Sequence, residues 1–382
     1  MRKELTILIP CLNEIETIGK VIEKSLHTLS TQKINGEILV ADNGSVDGSQ
    51  EFALSLGVRV IDVQMRGYGS ALIAGISSCQ SEFTVMADAD DSYALDDLSE
   101  FISSLRNGSD LVIGNRFQGG IAPGAMPWLH RYIGNPILSW LGRLFFKVPV
   151  GDFHCGLRAF KTDSIRSLNL KSPGMEFASE MIVKASLNGL RITEVPTTLK
   201  PDGRSRAPHL RTWRDGWRHL VFLLAASPRW LFLYPGITLA GLGTFGVALT
   251  FSGPANVGPL QLDLNSFLLF VGLILIGTQT VFFGILARIF STNIGTLPVS
   301  KSVTRFSDNF SLERGIFLGL SLLFTSLVSA FTLLGHWNGN TIVGFDKDSA
   351  LRFSGIIVLT SGVGIQTLFA SFFASMLQTL KS

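Results

Sequence analysis

Four stretches of this chain, roughly Leu231–Phe251, Ser266–Ala287, Gly315–Gly335 and Phe353–Leu377, each run past twenty residues without one Asp, Glu, Lys or Arg. About 20 apolar residues are what a helix needs to cross the hydrocarbon of a bilayer. A soluble helix of that length would show a polar face. The chain is therefore read as 382 residues in two parts: residues 1–227, in which charge and apolar residues mix as in a globular domain, and residues 228–382, a membrane domain of four spans. The positive mean hydropathy, +0.36, comes from the second part.

The loops give an orientation. Arg288, Lys301, Arg305 and Arg314 lie between or beside the second and third spans, whereas residues 252–265 hold no Lys or Arg. The loop before the fourth span sets Lys347 and Arg352 beside Asp346 and Asp348. Basic loops stay on the cytoplasmic side, which puts both termini and the first domain there, at the inner membrane of the cell. The start, MRKELTILIPCLNE, has too short an apolar core for a signal peptide. Cys11, Cys79 and Cys155 have neither metal-ligand spacing nor an evident pairing, which fits a reducing compartment.

Net charge is +3, too small to point to nucleic acid. Its distribution matters more. Lys200, Arg204, Arg206, Arg211, Arg214, Arg218 and Arg229 crowd the segment before the first span. They suit anionic lipid headgroups or a phosphorylated substrate, or they are the positive-inside bias alone. Two segments have the pattern of interfacial helices, about 128–147 and 209–226. Leu129, Ile133, Ile137, Trp140, Leu141 and Leu144 recur at helical spacing in the first, and Trp213, Trp217, Leu220 and Val221 alternate with arginines in the second. Basic, Trp-bearing amphipathic helices suit a bilayer surface; packing on an ordinary core is the alternative.

The first domain alternates apolar runs (Leu5–Pro10, Glu37–Asn43, Val58–Val63, Phe83–Asp88, Asp110–Phe117) with helical patterns such as Glu14–Leu29 and Ala94–Leu105. This predicts an α/β fold, a mostly parallel sheet with helices on both faces. Ligands then bind beyond the carboxyl ends of the strands. There the chain sets Pro10-Cys11-Leu12-Asn13-Glu14, then Asp42-Asn43-Gly44-Ser45-Val46-Asp47-Gly48, then Asp88-Ala89-Asp90-Asp91. Each cluster alone reads equally as turn or cap chemistry. Three in register with the strands gather carboxylates that repel unless a cation joins them, and a divalent ion bridging a phosphate-containing ligand answers that need.

These motifs, with Gly114-Asn115-Arg116-Phe117, Asp152-x-x-Cys155-Gly156-Leu157-Arg158, Glu176-Phe177-x-x-Glu180 and Glu194-Val195-Pro196 followed by Gly203-Arg204-Ser205-Arg206, resemble glycosyltransferase family 2 with its GT-A fold. Within it they are similar to the polyprenyl-phosphate hexose synthases, the group of dolichyl-phosphate mannose synthase and undecaprenyl-phosphate glucosyltransferases. The resemblance covers about Glu4 to Leu224. Asp91-Ser92-Tyr93 departs from the usual sequence after Asp-x-Asp and leaves a third protein ligand open. Ala226 stands where processive members carry glutamine before Arg-Trp, which argues against a polysaccharide synthase.

The resemblance implies an inverting, metal-dependent hexosyltransferase that moves a hexose from a nucleotide-sugar donor, a UDP- or GDP-hexose, to a polyprenyl phosphate. Asp88 and Asp90 would hold Mg²⁺ or Mn²⁺ on the donor diphosphate, a Lewis-acid role. Pro10, Asn13, Glu14 and Asp42 would shape the nucleoside site. Arg116, Arg204 and Arg206 are candidate phosphate binders, because guanidinium forks fit phosphate oxygens. Asp152 is a general base or an acceptor-site electrostatic group. A lipid phosphate is already anionic near neutral pH, so positioning and charge management would dominate; a hydroxyl acceptor would need a base. His154 and His209 lie near these motifs, but a lone histidine more often serves structure and neither is given a role. Membrane lipids are expected neighbours, and a homo-oligomer is compatible with the reading. The competing readings are transfer to a membrane-lipid hydroxyl, and a transporter or other non-catalytic membrane protein with a nucleotide-binding domain. Spans without ionisable residues disfavour the last.

Overall fold

A computed structural model describes residues 3–205, 212–295, 297–298, 311–338, 341–342 and 346–379. They fall into two units, Met1–Leu223 and Leu224–Ser382.

The first unit is built on one seven-stranded sheet. Its strands are β1 (Leu5–Cys11), β2 (Gly36–Asp42), β3 (Arg59–Asp62), β4 (Phe83–Met86), β5 (Leu111–Asn115), β6 (Arg158–Lys161) and β7 (Ile192–Pro196), in the order β3-β2-β1-β4-β6-β5-β7. β1 lies between β2 and β4 and is buried along its whole length, which is why it reads as an unbroken apolar run. All neighbours pair in parallel except β6, which runs antiparallel to both β4 and β5. The sheet is thus mostly parallel, as the sequence predicts. β6 and β7 were not among the predicted strands. β6 has four residues, Arg158 to Lys161, and no apolar periodicity to betray it. Its Arg158 is nevertheless fully buried, because the guanidinium donates to the carbonyls of Phe153, Cys155 and Ala178 at 2.8, 2.9 and 2.7 Å.

Helices cover the sheet: α1 (Ile18–Thr31), α2 (Ser49–Ser55), α3 (Tyr68–Ser78), α4 (Ser99–Arg106), the single turns α5 (Arg116–Gly119) and α7 (Thr162–Arg166), and α8 (Phe177–Leu187). The first expected amphipathic segment forms a wide π-turn at His130–Gly134 and then α6 (Asn135–Phe146). Its inner side is Ser139, Gly142 and Phe146; Gly142 lies against the Phe153 ring, where a side chain would collide. Trp128, Tyr132, Ile137 and Trp140 stay exposed. The second amphipathic segment is α9 (Thr212–Ala225), with Trp213 and Trp217 also exposed.

The second unit holds α10 (Tyr234–Thr250), α11 (Leu264–Asn293), α12 (Leu312–Gly335) and α13 (Lys347–Thr379). A short antiparallel pair, β8 (Ala255–Val257) and β9 (Leu260–Leu262), joins the first two. All four are long and apolar enough to cross a membrane, the first counted from Arg229. Phe317, Phe324, Phe331 and Phe369 are each at least 65 % exposed, an outer surface that only lipid would tolerate. Helices touch through glycine: Gly277 against Gly236 and Ala240, Gly319 against Gly364. Without a hydrophobic drive between helices in lipid, such close backbone approach supplies the packing. The protein is a membrane protein.

Candidate active site

The loops after β1, β2 and β3 are tied to one another by the predicted motif residues. Asp42, fully buried at the end of β2, accepts from the backbone N–H of Gly44 and Ser45, both at 3.0 Å, and from the Ser45 hydroxyl at 2.5 Å. Asn13 takes a left-handed conformation, φ 56°, and its side chain accepts from Val46 N–H at 2.8 Å. Asn43 donates to the carbonyls of Val63 and Met65 and accepts from Gly67 N–H. The oxygens of Asp42 are therefore spent on its own turn, and Asn13 on the neighbouring loop.

What these loops frame is a cleft of about 500 Å³ whose wall includes Pro10, Glu14, Arg66, Asp88, Asp90 and Arg204. Of the ten predicted site residues the structure brings Pro10, Glu14, Asp88, Asp90 and Arg204 to this cleft. Asn13 and Asp42 stand behind its wall, and Arg206 lies outside the described residues. Arg204 is the hub: its guanidinium donates to Glu14 at 3.0 Å, to Asp90 at 2.8 Å and to Asp202 at 2.9 Å.

Asp88 and Asp90 follow β4. Asp88 accepts from the Tyr68 hydroxyl at 2.9 Å, and its other oxygen crowds the Cα of Gly156, where no side chain could fit. Asp90 accepts from the backbone and hydroxyl of Ser92 at 3.1 and 2.6 Å. Burial first, and then the neighbouring Asp90, push the Asp88 carboxyl up to about 6. An acid whose proton affinity is raised by the charge of its neighbour is relieved by a divalent cation held between the two. Among the described residues no group of three His, Cys, Asp or Glu side chains gathers as a complete metal site. A cation held by this pair would complete its shell with ligand oxygens and water, as magnesium commonly does.

Arg116 and Asp152 are not in the cleft. They form a buried, two-pronged ion pair, Nε to Oδ2 at 2.7 Å and Nη2 to Oδ1 at 2.8 Å, with the Arg116 N–H donating to the same carboxylate at 3.2 Å. Asp152 is fully buried. Arg116 is expected as a phosphate binder and Asp152 as a general base or an acceptor-site electrostatic group; in this geometry each pairs its charge with the other. Glu194 closes the corner by accepting from the N–H groups of Gly151 and Asp152 at 2.7 and 3.0 Å.

A second, mostly apolar chamber of about 370 Å³ lies beside the cleft, and Tyr68, Asp88, Met175 and Asp215 line both. Its walls come from the two amphipathic segments, Leu129, Ile133 and Ile137 on one side and Trp213, Trp217 and Leu220 on the other. His154 and His219 line it as well, ring to ring at 4.4 Å and 82°. Sequence reasoning missed Tyr68 and His219, named Arg158 only as part of a motif, and left His154 without a role. The signal available was the glycine-flanked Arg66-Gly67-Tyr68-Gly69, whose Gly67 holds φ 136° against the Pro173 carbonyl. The histidines, 65 residues apart in sequence, gave none.

Residues 6–168 match the profile of glycosyl transferase family 2, and residues 285–378 match the glycosyltransferase family 2 C-terminal transmembrane region. The chain is 33 % identical over 369 residues, 96 % of itself and 87 % of the relative, to a low-salt glycan biosynthesis hexosyltransferase, Agl6, of Haloferax volcanii. It is 28 % identical over half its length to a dolichyl-phosphate hexose transferase of the same organism, spanning 81 % of that protein. It is likewise 28 % identical over half its length to a polyprenol monophosphomannose synthase of Mycolicibacterium smegmatis, spanning 76 % of it.

Proposed function

From the premise that the chain belongs to glycosyltransferase family 2, we propose that it transfers a hexose from a nucleotide-sugar donor to a polyprenyl phosphate at the cytoplasmic face of the membrane, inverting the anomeric centre. The observation that carries this is the meeting of a polar cleft and an apolar chamber at Asp88. A water-soluble donor and a lipid acceptor need two such sites with one shared boundary. The relatives whose names specify dolichyl or polyprenol phosphate support the acceptor class.

In this reading the nucleoside enters between Pro10, Glu14 and Arg66, in a pocket whose shape Asn13 and Asp42 fix through their loops. The diphosphate lies toward Asp88, Asp90 and Arg204. A bound Mg²⁺ or Mn²⁺ would supply Lewis-acid stabilisation of the charge on the departing diphosphate. Arg204 exchanges its carboxylate partners for phosphate oxygens, and Arg206 is assigned to the same anions. An oxygen of the lipid phosphate attacks the anomeric carbon, the bond from that carbon to the diphosphate breaks, and the nucleoside diphosphate leaves with the electron pair. The nucleophile is already an anion, so orientation carries the rate. Asp152 then serves by fixing Arg116 and the loop that leads to Cys155 and Gly156. A hydroxyl acceptor would require a general base, and the carboxylate expected in that role is held by Arg116.

The test is label transfer. Full-length protein, undecaprenyl phosphate and a panel of radiolabelled UDP- and GDP-hexoses are incubated with Mg²⁺ or Mn²⁺, beside an Asp90→Ala control and an EDTA control. Label extracted into organic solvent only with wild type and metal is expected. Label on a lipid alcohol, and none on undecaprenyl phosphate, would reject the acceptor assignment.

A further inference from the structure

The apolar chamber ends on groups that the hexose transfer just described does not use. Both ring nitrogens of His154 are buried, and neither has a hydrogen-bond partner among the described residues. His219 differs: its Nδ1 shares a hydrogen bond with the Ser179 hydroxyl at 2.8 Å. Burial, then His219, Arg116 and Arg158 hold His154 well below the usual imidazole range, so the ring stays neutral and keeps one N–H donor and one lone pair. A buried donor with no partner is costly to leave unmade. A ligand in the chamber is the natural supplier of that partner.

The charge behind His154 says which ligand. Arg158 is fully buried, and among the described residues no carboxylate pairs with it; carbonyl oxygens of Phe153, Cys155 and Ala178 are its partners. Neutral carbonyls leave the unit charge in place, and with Arg116 it acts on His154, whereas the two carboxylates of the lining, Asp88 and Asp215, stand on the boundary shared with the cleft. The walls above are Leu129, Ile133, Trp213 and Leu220. An apolar shaft that reaches an unpartnered N–H backed by these two guanidinium charges fits an anionic head on a hydrocarbon chain. His154 also lies two residues from Gly156, against which Asp88 packs, so a head group seated there is next to the donor cleft.

Resting on the reading that the acceptor is a polyprenyl phosphate, we propose that His154 donates its N–H to a non-bridging phosphate oxygen of that acceptor and so makes the chamber select lipid phosphates over the corresponding alcohols. The residue is an acceptor-binding group, and it leaves donor recognition to the cleft.

The experiment measures binding of farnesyl phosphate and of farnesol to the full-length protein in detergent by intrinsic fluorescence, since Trp213 and Trp217 line the chamber. Wild type is expected to prefer the phosphate. His154→Phe, which fills the ring's space without an N–H, should lose about 10-fold of affinity for farnesyl phosphate and little for farnesol, the size of one hydrogen bond to a charged group. His154→Gln, which restores a donor, should recover most of that loss. Equal weakening of both probes in the Phe variant, no weakening of either, or a Gln variant as poor as the Phe variant would overturn the assignment. A wild-type protein with no preference for the phosphate would instead reject the acceptor class itself. The KM for the nucleotide sugar should stay unchanged in both variants; a rise there would place His154 in donor binding and overturn the proposal.

Discussion

The Arg204 guanidinium donates to the Asp90 carboxylate at 2.8 Å, so the cation proposed for Asp90 and the arginine proposed for the diphosphate compete for one oxygen until the donor arrives. Arg204 is only 11 % exposed at its side chain and also donates to Glu14, so the competition is not diluted by solvent. Removing it should have two opposite effects. Arg204→Ala is expected to bind Mn²⁺ without donor about 3- to 10-fold more tightly, because one charge-assisted hydrogen bond no longer opposes the metal. The same variant should raise the KM for nucleotide sugar by about 10-fold or more. Titration with Mn²⁺ by electron paramagnetic resonance reads the first, and initial rates against nucleotide-sugar concentration read the second. Unchanged metal affinity in the variant would mean that Arg204 and the cation do not share Asp90.

Asp88 makes the site unstable in proportion to its readiness for a cation. Its folded pKa, about 6, lies above the ordinary carboxylate value, so the folded protein holds a proton that the unfolded chain releases. Stability without metal therefore falls as pH rises from about 4 to about 6 and stays lowered above that. Asp88→Asn should recover roughly 1–2 kcal/mol at pH 7.5 and almost nothing at pH 3.5, where the Asp88 carboxyl is mostly protonated in the folded and the unfolded chain alike. The variant should be inactive at either pH. Thermal unfolding in EDTA at the two pH values checks the sign; destabilisation at pH 7.5 would show that the charge is compensated in the folded state. In the wild type, activity at limiting metal should drop as pH falls through about 6, since the protonated carboxyl cannot bind a cation.

Asp152 separates chemistry from architecture. As a base it would be needed for rate and little needed for folding. As the partner of a buried Arg116 it is needed for folding, since an uncompensated buried charge costs about 3–5 kcal/mol. Asp152→Ala is expected to lower stability by that order. Replacing both partners, Arg116→Met with Asp152→Leu, should return much of it, because no charge is then left buried. Denaturant unfolding of the two variants beside wild type decides. A stable, fully folded Asp152→Ala protein with no transfer activity would restore the general-base reading.

These residues also mark where the sequence stops being legible. Strand ends are visible from sequence because β1, β2, β4 and β5 are buried on both faces and run apolar; the spans are visible because lipid admits no charge. Glu14, Asp88 and Asp90 follow from those ends and Arg204 from the basic motif that carries the resemblance, and the structure gathers the four in one cleft. Asp42 and Arg116 have the right residue type and place, but a side chain can face the cleft or the loop behind it, and sequence does not encode that choice. Asp42 turns into its own loop, and Arg116 into Asp152. β6 was hidden for the opposite reason: buried Arg158 reads as a surface charge until three carbonyls are brought to it by folding. His154 and His219 meet only because α9 comes back against α8 and the loop before β6, a long-range contact without local pattern.

The membrane unit offers a prediction independent of the chemistry. A Cβ placed on Gly319 would stand 2.9 Å from the Gly364 carbonyl oxygen, and one on Gly364 would stand 3.1 Å from that of Gly319, so α12 and α13 cross backbone to backbone. Lipid gives these helices no hydrophobic reason to associate, and close packing must do it. Gly319→Leu should then force the helices apart and cost roughly 1–3 kcal/mol, as overpacking does in a tight interface. Gly272→Leu is the control: it also lies in a span, α11, but nothing stands within 4 Å of its added Cβ. Thermal unfolding of both full-length variants in the same detergent should show a lowered transition for Gly319→Leu and a wild-type one for Gly272→Leu. Equal transitions in the two would mean that this crossing contributes nothing that the rest of the α12–α13 contact does not supply.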